Sequence, residues 1–296
     1  MRRWRSVPAG VRYMLLATVL FAMMKVCVKM IPQIPSVEII LFRSVISFII
    51  SFIGIKAAGI SPWGTNKPML ILRGVCGSLS LILYFILIQQ IPLATTYTLL
   101  YLAPVFTTIL GIYFVKEKVF PMQWVFFALS MLGVVIVTGF DIRVEPIHLL
   151  IGLLSSMSSG VAYNVIRKLK TSEHPLVIIL YFPLVTIPIA GVYSVFIWEQ
   201  PIGWEWFWLI MVGIFTQFAQ YFMTKAYQQE ELSIISSLSY LGIVYGLGFG
   251  FLFGETFNLL TYIGMACVVM GVVSNIWWKK KGEVLRRRKS MVRSNQ

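Results

Sequence analysis

Charged side chains inside long apolar runs are where this sequence can do chemistry. Lys25, Lys29, Glu38, Arg43 and Arg73 each interrupt such a run, and a charge held at membrane depth is costly enough to mark function by default. Depth sorts them. Lys25 and Arg43 each fall roughly 10–12 Å inside the outer ends of the first two apolar segments, at a rise of about 1.5 Å per residue. Matched depth lets both cations face one cavity, and no carboxylate falls near that depth in these segments. The pair predicts a seat for the anionic group of a substrate, a carboxylate or a phosphate. The competing arrangement has Arg43 donating to helix-end carbonyls and Lys25 snorkelling outward. Lys29 and Glu38 flank the Pro32–Pro35 turn at similar depth, which predicts an ion pair with a structural or gating role. Arg73 lies close to the start of the third segment, where its long stem can reach the interface; it reads as structural.

Polar side chains at helical spacing supply the other candidates. Tyr97, Tyr101 and Thr108 share a face of the fourth segment with Pro104, which removes one helical hydrogen bond and acts as a static kink or a gate. Ser155, Ser159 and Tyr163 share a face of the sixth, with Asn164 adjacent. Gln217, Gln220, Tyr221 and Thr224 share a face of the eighth, and Tyr240 lies midway along the ninth. In a bundle such faces point inward. The small hydroxyl residues suit interhelical hydrogen bonds. Tyr101, Gln217 and Tyr221 suit a cavity for an organic solute. The expected substrate-binding set is Lys25, Arg43, Tyr97, Tyr101, Tyr163, Asn164, Gln217, Tyr221 and Tyr240.

A catalytic constellation does not accompany them. An integral membrane transferase would need paired acids for a metal or an activated nucleophile. Aspartate occurs once, at Asp141, and His148 and His174 both fall near segment ends. Cys27, Cys76 and Cys267 lie inside apolar runs without CxxC spacing, against a disulfide framework or a zinc site. No metal or other cofactor is expected. A channel would want a ring of like polar groups around an axis.

The elements that position these residues follow from composition. The 296-residue chain is 58% hydrophobic and 12% charged, with a mean hydropathy of +0.83. Soluble domains carry about 45–50% apolar and about 25% charged residues. A water-soluble enzyme is excluded, and so is disorder, which needs low hydrophobicity and high charge. Continuous apolar runs, without the alternation of barrel strands, predict an all-α integral membrane protein with ten transmembrane helices. They lie near 11–31, 35–56, 68–90, 94–114, 121–140, 147–168, 175–197, 203–227, 231–253 and 257–278. The basic N-terminus precedes a retained first span and lacks a cleavage site. Twenty of the 25 Lys+Arg residues fall on one side if the N-terminus is cytoplasmic, against Arg143 alone outside; the positive-inside rule then puts both termini in the cytoplasm. The net charge of +14 reflects this topology and not nucleic-acid binding. The tail KKKGEVLRRRKS suits anionic lipid, and the compact loops suit a bacterial inner (plasma) membrane.

One offset of 138 residues relates the halves. It maps Glu117 onto Glu255, Gly133-Val134-Val135 onto Gly271-Val272-Val273, Gln90 onto Gln228 and Lys29 onto Arg167. Five helices per half is odd, so the second half enters the membrane from the opposite side, with Glu117 inside and Glu255 outside. Inverted-topology repeats are typical of secondary transporters, with the substrate near the midplane between halves.

The stretch IPLATTYTLLYLAPVFTTILGIYFVKEKVFPMQWVFFALSMLGVVIVTG (91–139), with Pro104 in mid-helix, Glu117 at the helix end and a Gly133-containing span after it, resembles the signature half of an EamA domain. The stretch 238–275 repeats it, with Gly242 in place of the proline. The resemblance covers nearly the whole chain and places it with the drug/metabolite transporter superfamily. It implies residues 11–140 and 147–278 as two inverted five-helix repeats, flanked by a cytoplasmic N-terminus (1–10) and a basic cytoplasmic tail (279–296). It implies a central cavity lined by helices 1–4 and 6–9, peripheral helices 5 and 10, and room for homodimer contacts. Family members move amino acids, nucleotide-linked metabolites, organophosphates and drugs. The expected activity is alternating-access transport of a small anionic or zwitterionic metabolite, such as an amino acid or organic acid, with export of lipophilic drugs as the alternative. Proton-driven carriers hold a deep acidic or histidine side chain; its absence here points to exchange or facilitated flux.

Overall fold

The computed structural model describes residues 7–91, 93–138, 145–252 and 258–294. Arg2, Arg3, Arg5, Asp141, Arg143 and Glu255 lie outside the described residues, as do the side chains of the basic tail.

Every regular element among the described residues is helical: α1 (Ala9–Lys29), α2 (Ser36–Ala57), α3 (Lys67–Gln90), α4 (Leu93–Leu100), α5 (Ala103–Phe114), α6 (Pro121–Thr138), α7 (Pro146–Lys168), α8 (Pro175–Phe196), α9 (Glu205–Gln229), α10 (Leu232–Leu238), α11 (Leu241–Leu252) and α12 (Leu259–Ser294). Among the described residues, eight segments are long and apolar enough to cross a membrane, with most of α4 and all of α5 counted together from Thr96 to Phe114; Pro121–Val137 and Leu232–Tyr245 are shorter apolar helices. The chain is an integral membrane protein. Helices satisfy every interior backbone group locally, which hydrocarbon requires.

Proline sets many of the helix starts. It occupies the first turn of α3, α5, α7 and α8, where its missing N–H has no partner to lose. The Asn66 side chain caps α3 by accepting the Met69 N–H at 3.4 Å. The exit from α2 needs glycine. Gly59 has φ +66° and donates to the Lys56 carbonyl while Ile60 donates to Ile55, both at 3.1 Å, the paired closure of a left-handed helix cap.

Two of the expected spans are broken. The 94–114 segment stops at Leu100 and restarts at Ala103. Pro104 is therefore not a mid-helix kink; it sits in the first turn of α5, where it is tolerated without strain. The 231–253 segment breaks at Ser239–Tyr240, without proline. There Tyr240 donates to Ser237 and Gly242 to Ser239, at 3.2 and 3.0 Å, so tight three-residue turns replace helical ones. The last helix also exceeds its expected end, with α12 running through the tail to Ser294.

The long helices pack in pairs: α1 along α9, α3 along α7, α2 on α8 and α6 on α12. Close pairing needs small residues. A methyl on Gly133 of α6 would stand 2.5 Å from the Gly264 carbonyl oxygen, and one on Gly271 of α12 would stand 2.8 Å from the Phe126 carbonyl oxygen. The interior includes Ile166, Leu169, Ile178, Tyr227 and Leu238, while Ile53, Val75, Val195 and Leu259 point outward, as a lipid-facing surface requires.

Candidate functional site

A two-lobed cavity lies among the helices at the level of the two breaks. The larger lobe, about 280 Å³, is bordered by Lys25 of α1, Tyr84 of α3, Tyr97 of α4, Tyr101 and Pro104 at the first break, Tyr163 of α7, Met223 of α9, and Ser239 and Gly242 at the second. The smaller, about 150 Å³, is bordered by Arg43 of α2, Arg73, Gly77 and Ser80 of α3, Phe182 of α8 and Gln220 of α9. Leu81, Tyr84, Leu100, Ser159 and Tyr163 border both lobes, so the two adjoin. No acidic residue is among the described lining residues.

The cations rest on aromatic faces, which attract them through the ring quadrupole. Lys25 Nζ stands 5.3 Å from the Tyr97 ring centre, and Tyr97 stands 6.2 Å from Tyr84. The Arg43 and Arg73 guanidiniums lie 5.9 and 5.4 Å from the same ring, Phe182. Buried Nε of Arg43, buried Nε of Arg73 and Oε1 of Gln220 have no hydrogen-bond partner among the described residues. The wall behind them is firmly tied. Tyr163 stacks on buried Tyr227 at 4.7 Å, and the Ser80 and Ser159 hydroxyls bond at 2.6 Å.

Five of the expected binding residues therefore border one cavity: Lys25, Arg43, Tyr97, Tyr101 and Tyr163. Tyr240 stands just behind them. It is fully buried, with its ring 5.9 Å from Tyr101, so the two helix breaks meet through these side chains. Three others lie elsewhere. Asn164 donates to the Thr107 and Gly160 carbonyls at 2.9 and 2.8 Å and joins α7 to α5. Gln217 donates to Ser51 at 2.8 Å and accepts from Ser47, tying α9 to α2. Tyr221 turns to Lys225, whose Nζ lies 4.7 Å from its ring. One turn along α9 from Gln217, Gln220 takes the cavity position instead. Gln217→Ala should lower stability by about 1–3 kcal/mol, since it strands two buried hydroxyls, while leaving solute affinity unchanged. Unfolding in mixed micelles and a binding isotherm check the two halves of that statement.

One charge arrangement also differs from expectation. Arg73 does not reach for the interface. It is 2% exposed and turns into the smaller lobe, because Gly77, one turn on, leaves space for it: a methyl there would stand 2.3 Å from Nη1. At the carboxylate expected to meet Lys29, Glu38 Oε2 accepts the Glu199 N–H at 3.0 Å.

Sequence reasoning missed an ion pair at one end of the bundle. Arg167 Nε donates to Glu117 Oε1 at 2.8 Å, and Arg167 Nη1 donates to the Gln228 carbonyl at 2.8 Å. Glu117 Oε2 accepts the Leu232 N–H at 2.8 Å, holding the start of α10. Burial raises the Glu117 carboxyl above its ordinary range, and Arg167 and the Leu232 N–H pull it back. A second polar network, Gln123–Asn275–Ser233–Ser237, fastens α10 to α6 and α12 with bonds of 3.0–3.1 Å.

Apolar helices enclosing a cation-lined cavity define a polytopic membrane transporter. The model of the EamA-like transporter family matches residues 8–139 and again 146–277, and the chain belongs to that family, within the drug/metabolite transporter superfamily. It is 30% identical over 273 residues to the pseudopaline exporter CntI of Pseudomonas aeruginosa, covering 90% of this chain and 95% of that one. It is 28% identical to human solute carrier family 35 member G1, over 91% of this chain and 80% of that one. It is 22% identical to the S-adenosylmethionine uptake transporter of Rickettsia prowazekii, over 84% and 85%. A solved crystal structure at 18% identity shares the fold with a TM-score of 0.76, over 89% of this chain and 94% of that one.

Proposed function

We propose that the chain is a ten-span secondary carrier of a small organic anion or zwitterion, such as an amino acid or organic acid. The observation that carries this is that Lys25 and Arg43 border adjoining lobes of one cavity with no acidic residue among its described lining. Tyr97, Tyr101 and Tyr163 line the same space and offer apolar faces with polar edges to the solute body. The carrier works by alternating access between two inverted five-helix repeats. The breaks at Tyr101–Leu102 and Ser239–Tyr240 stand 138 residues apart, the offset of the sequence repeat, and the α1–α9 and α3–α7 pairings exchange under that offset. Both termini are cytoplasmic, and the bacterial relatives favour an inner membrane. The chain is a carrier and not an enzyme. Glu38 and Glu117 are engaged at helix ends by backbone N–H groups, so flux is exchange or facilitated, without proton coupling.

Counterflow in proteoliposomes loaded with a mixed metabolite pool tests the reading. Acidic and zwitterionic solutes should exchange, and Lys25→Gln or Arg43→Gln should weaken apparent affinity about 10- to 100-fold, the range for losing one charge-assisted hydrogen bond. Unchanged kinetics in both variants would sink it. One observation favours export of lipophiles as a second reading: an apolar groove of about 230 Å³ between α2, α3 and α8 touches the cavity at Leu81. Efflux of lipophilic dyes without exchange of charged solutes would select that reading.

A further inference from the structure

We infer that the solute carries two anionic groups, one seated between Arg43 and Arg73 in the smaller lobe and the other at Lys25 in the larger. This rests on the reading above that the cavity takes an organic anion, and it extends that reading from one seat to two.

Arg73 carries the argument. It is almost fully enclosed, at 2% exposure, yet neither it nor Arg43 makes an ion pair or hydrogen bond to any described residue. Both guanidiniums instead face the Phe182 ring, at 5.4 and 5.9 Å. Two like charges held against one ring repel each other, and a buried cation without a counterion is strongly disfavoured. A ring face compensates only a small part of that cost. The protein even makes room for this burial, since Gly77 leaves open the space that Arg73 fills. The missing counterion fits a planar or tetrahedral oxyanion, because guanidinium forks match carboxylate and phosphate oxygens two at a time. Gln220 borders the same lobe, and its amide NH2 can donate to the same oxyanion.

Lys25 lies in the other lobe, on the far side of the shared residues Tyr84, Leu100 and Tyr163. A single small carboxylate does not fill both seats. A solute with acidic groups at its two ends does, with its body against the tyrosines. The second group is a carboxylate or a phosphate, and the two chemistries are separable by experiment.

The full chain is reconstituted in phosphatidylcholine vesicles, so that no anionic lipid supplies the oxyanion. Inhibition of counterflow is measured with succinate, glutarate and adipate against butyrate, valerate and hexanoate, and with 3-phosphoglycerate against glycerate. Dianions of one matched length should bind about 10- to 100-fold more tightly than their monoanions, as a second charged hydrogen bond predicts. Arg73→Gln should erase that advantage by weakening dianions about 10-fold or more beyond any loss for monoanions, and Arg73→Lys should restore part of it. Gly77→Ala, whose methyl displaces the guanidinium, should reproduce the selective loss with Arg73 intact. Equal binding of matched mono- and dianions, or equal losses for both classes in Arg73→Gln, overturns the second seat while the anion-carrier reading stands. Failure of every anion to bind overturns both.

Discussion

Arg167→Met should lower stability by about 3–5 kcal/mol, the cost of removing one partner from a buried ion pair. Glu117 and Arg167 each expose only 10% of their side chains, so neither can turn to water when the other is gone. The loss also has a pH signature. Burial already raises the Glu117 carboxyl, and Arg167 is the strongest influence pulling it down. Without Arg167 the folded-state pKa climbs further above its unfolded value. The folded state then binds more protons than the unfolded state between those two values, and stability falls as pH rises through that interval. The deficit of Arg167→Met should therefore be smaller near pH 5 than near pH 8, read by unfolding in mixed micelles. A deficit that grows on acidification would show that the pair does not hold this end of the bundle. Glu117→Gln in the Arg167→Met background should recover part of the loss at neutral pH, because it removes the stranded charge.

Gly133→Leu should be comparably damaging, for a reason that involves no charge. A Cβ at Gly133 meets backbone, the Gly264 carbonyl at 2.5 Å and the Val268 nitrogen at 2.7 Å. Flexible side chains can move aside, but a helix backbone cannot. The whole α6–α12 seam must open, and the cost should reach or exceed about 3 kcal/mol, the upper end of ordinary overpacking. Gly133→Ala should already be destabilising. Gly248→Ala provides the contrast: nothing lies within 4 Å of its added methyl, and alanine favours helix by about 1 kcal/mol, so that variant should match or exceed the parent. Equal melting of Gly133→Leu and Gly248→Ala would mean that the two helices do not pack as described.

Helix limits were legible because proline and apolar length act locally. The expected starts at Pro68, Pro121 and Pro175 fall within one residue of α3, α6 and α8. Depth alone set Lys25 and Arg43 at one level, and they border two adjoining lobes. Rotation about the helix axis was not legible. Gln217 and Gln220 differ by about 60° around a helix of 3.6 residues per turn, too little for a polar stripe to tell which meets the cavity and which meets Ser47 and Ser51. Depth also left the direction of Arg73 open. The signal that would have settled it was a face running Arg73, Gly77, Ser80 and Tyr84, with a small residue one turn above the cation. The break at Ser239–Tyr240 carries no proline, so nothing local announced it. The Glu117–Arg167 contact joins residues 50 apart that the repeat aligned with other partners, and no periodicity brings them together.

The two-piece spans bear on how fast such a molecule can turn over. A continuous helix tilts as a whole, but α10 can swing about Ser239–Tyr240 while α11 stays in place. To do so it must release the Glu117–Leu232 bond and its hydrogen bonds to Gln123 and Asn275. Breaking several short polar bonds before new ones form places an enthalpic barrier on the motion. Turnover should then rise steeply with temperature, with its pace set by the release of α10 more than by the grip on the solute.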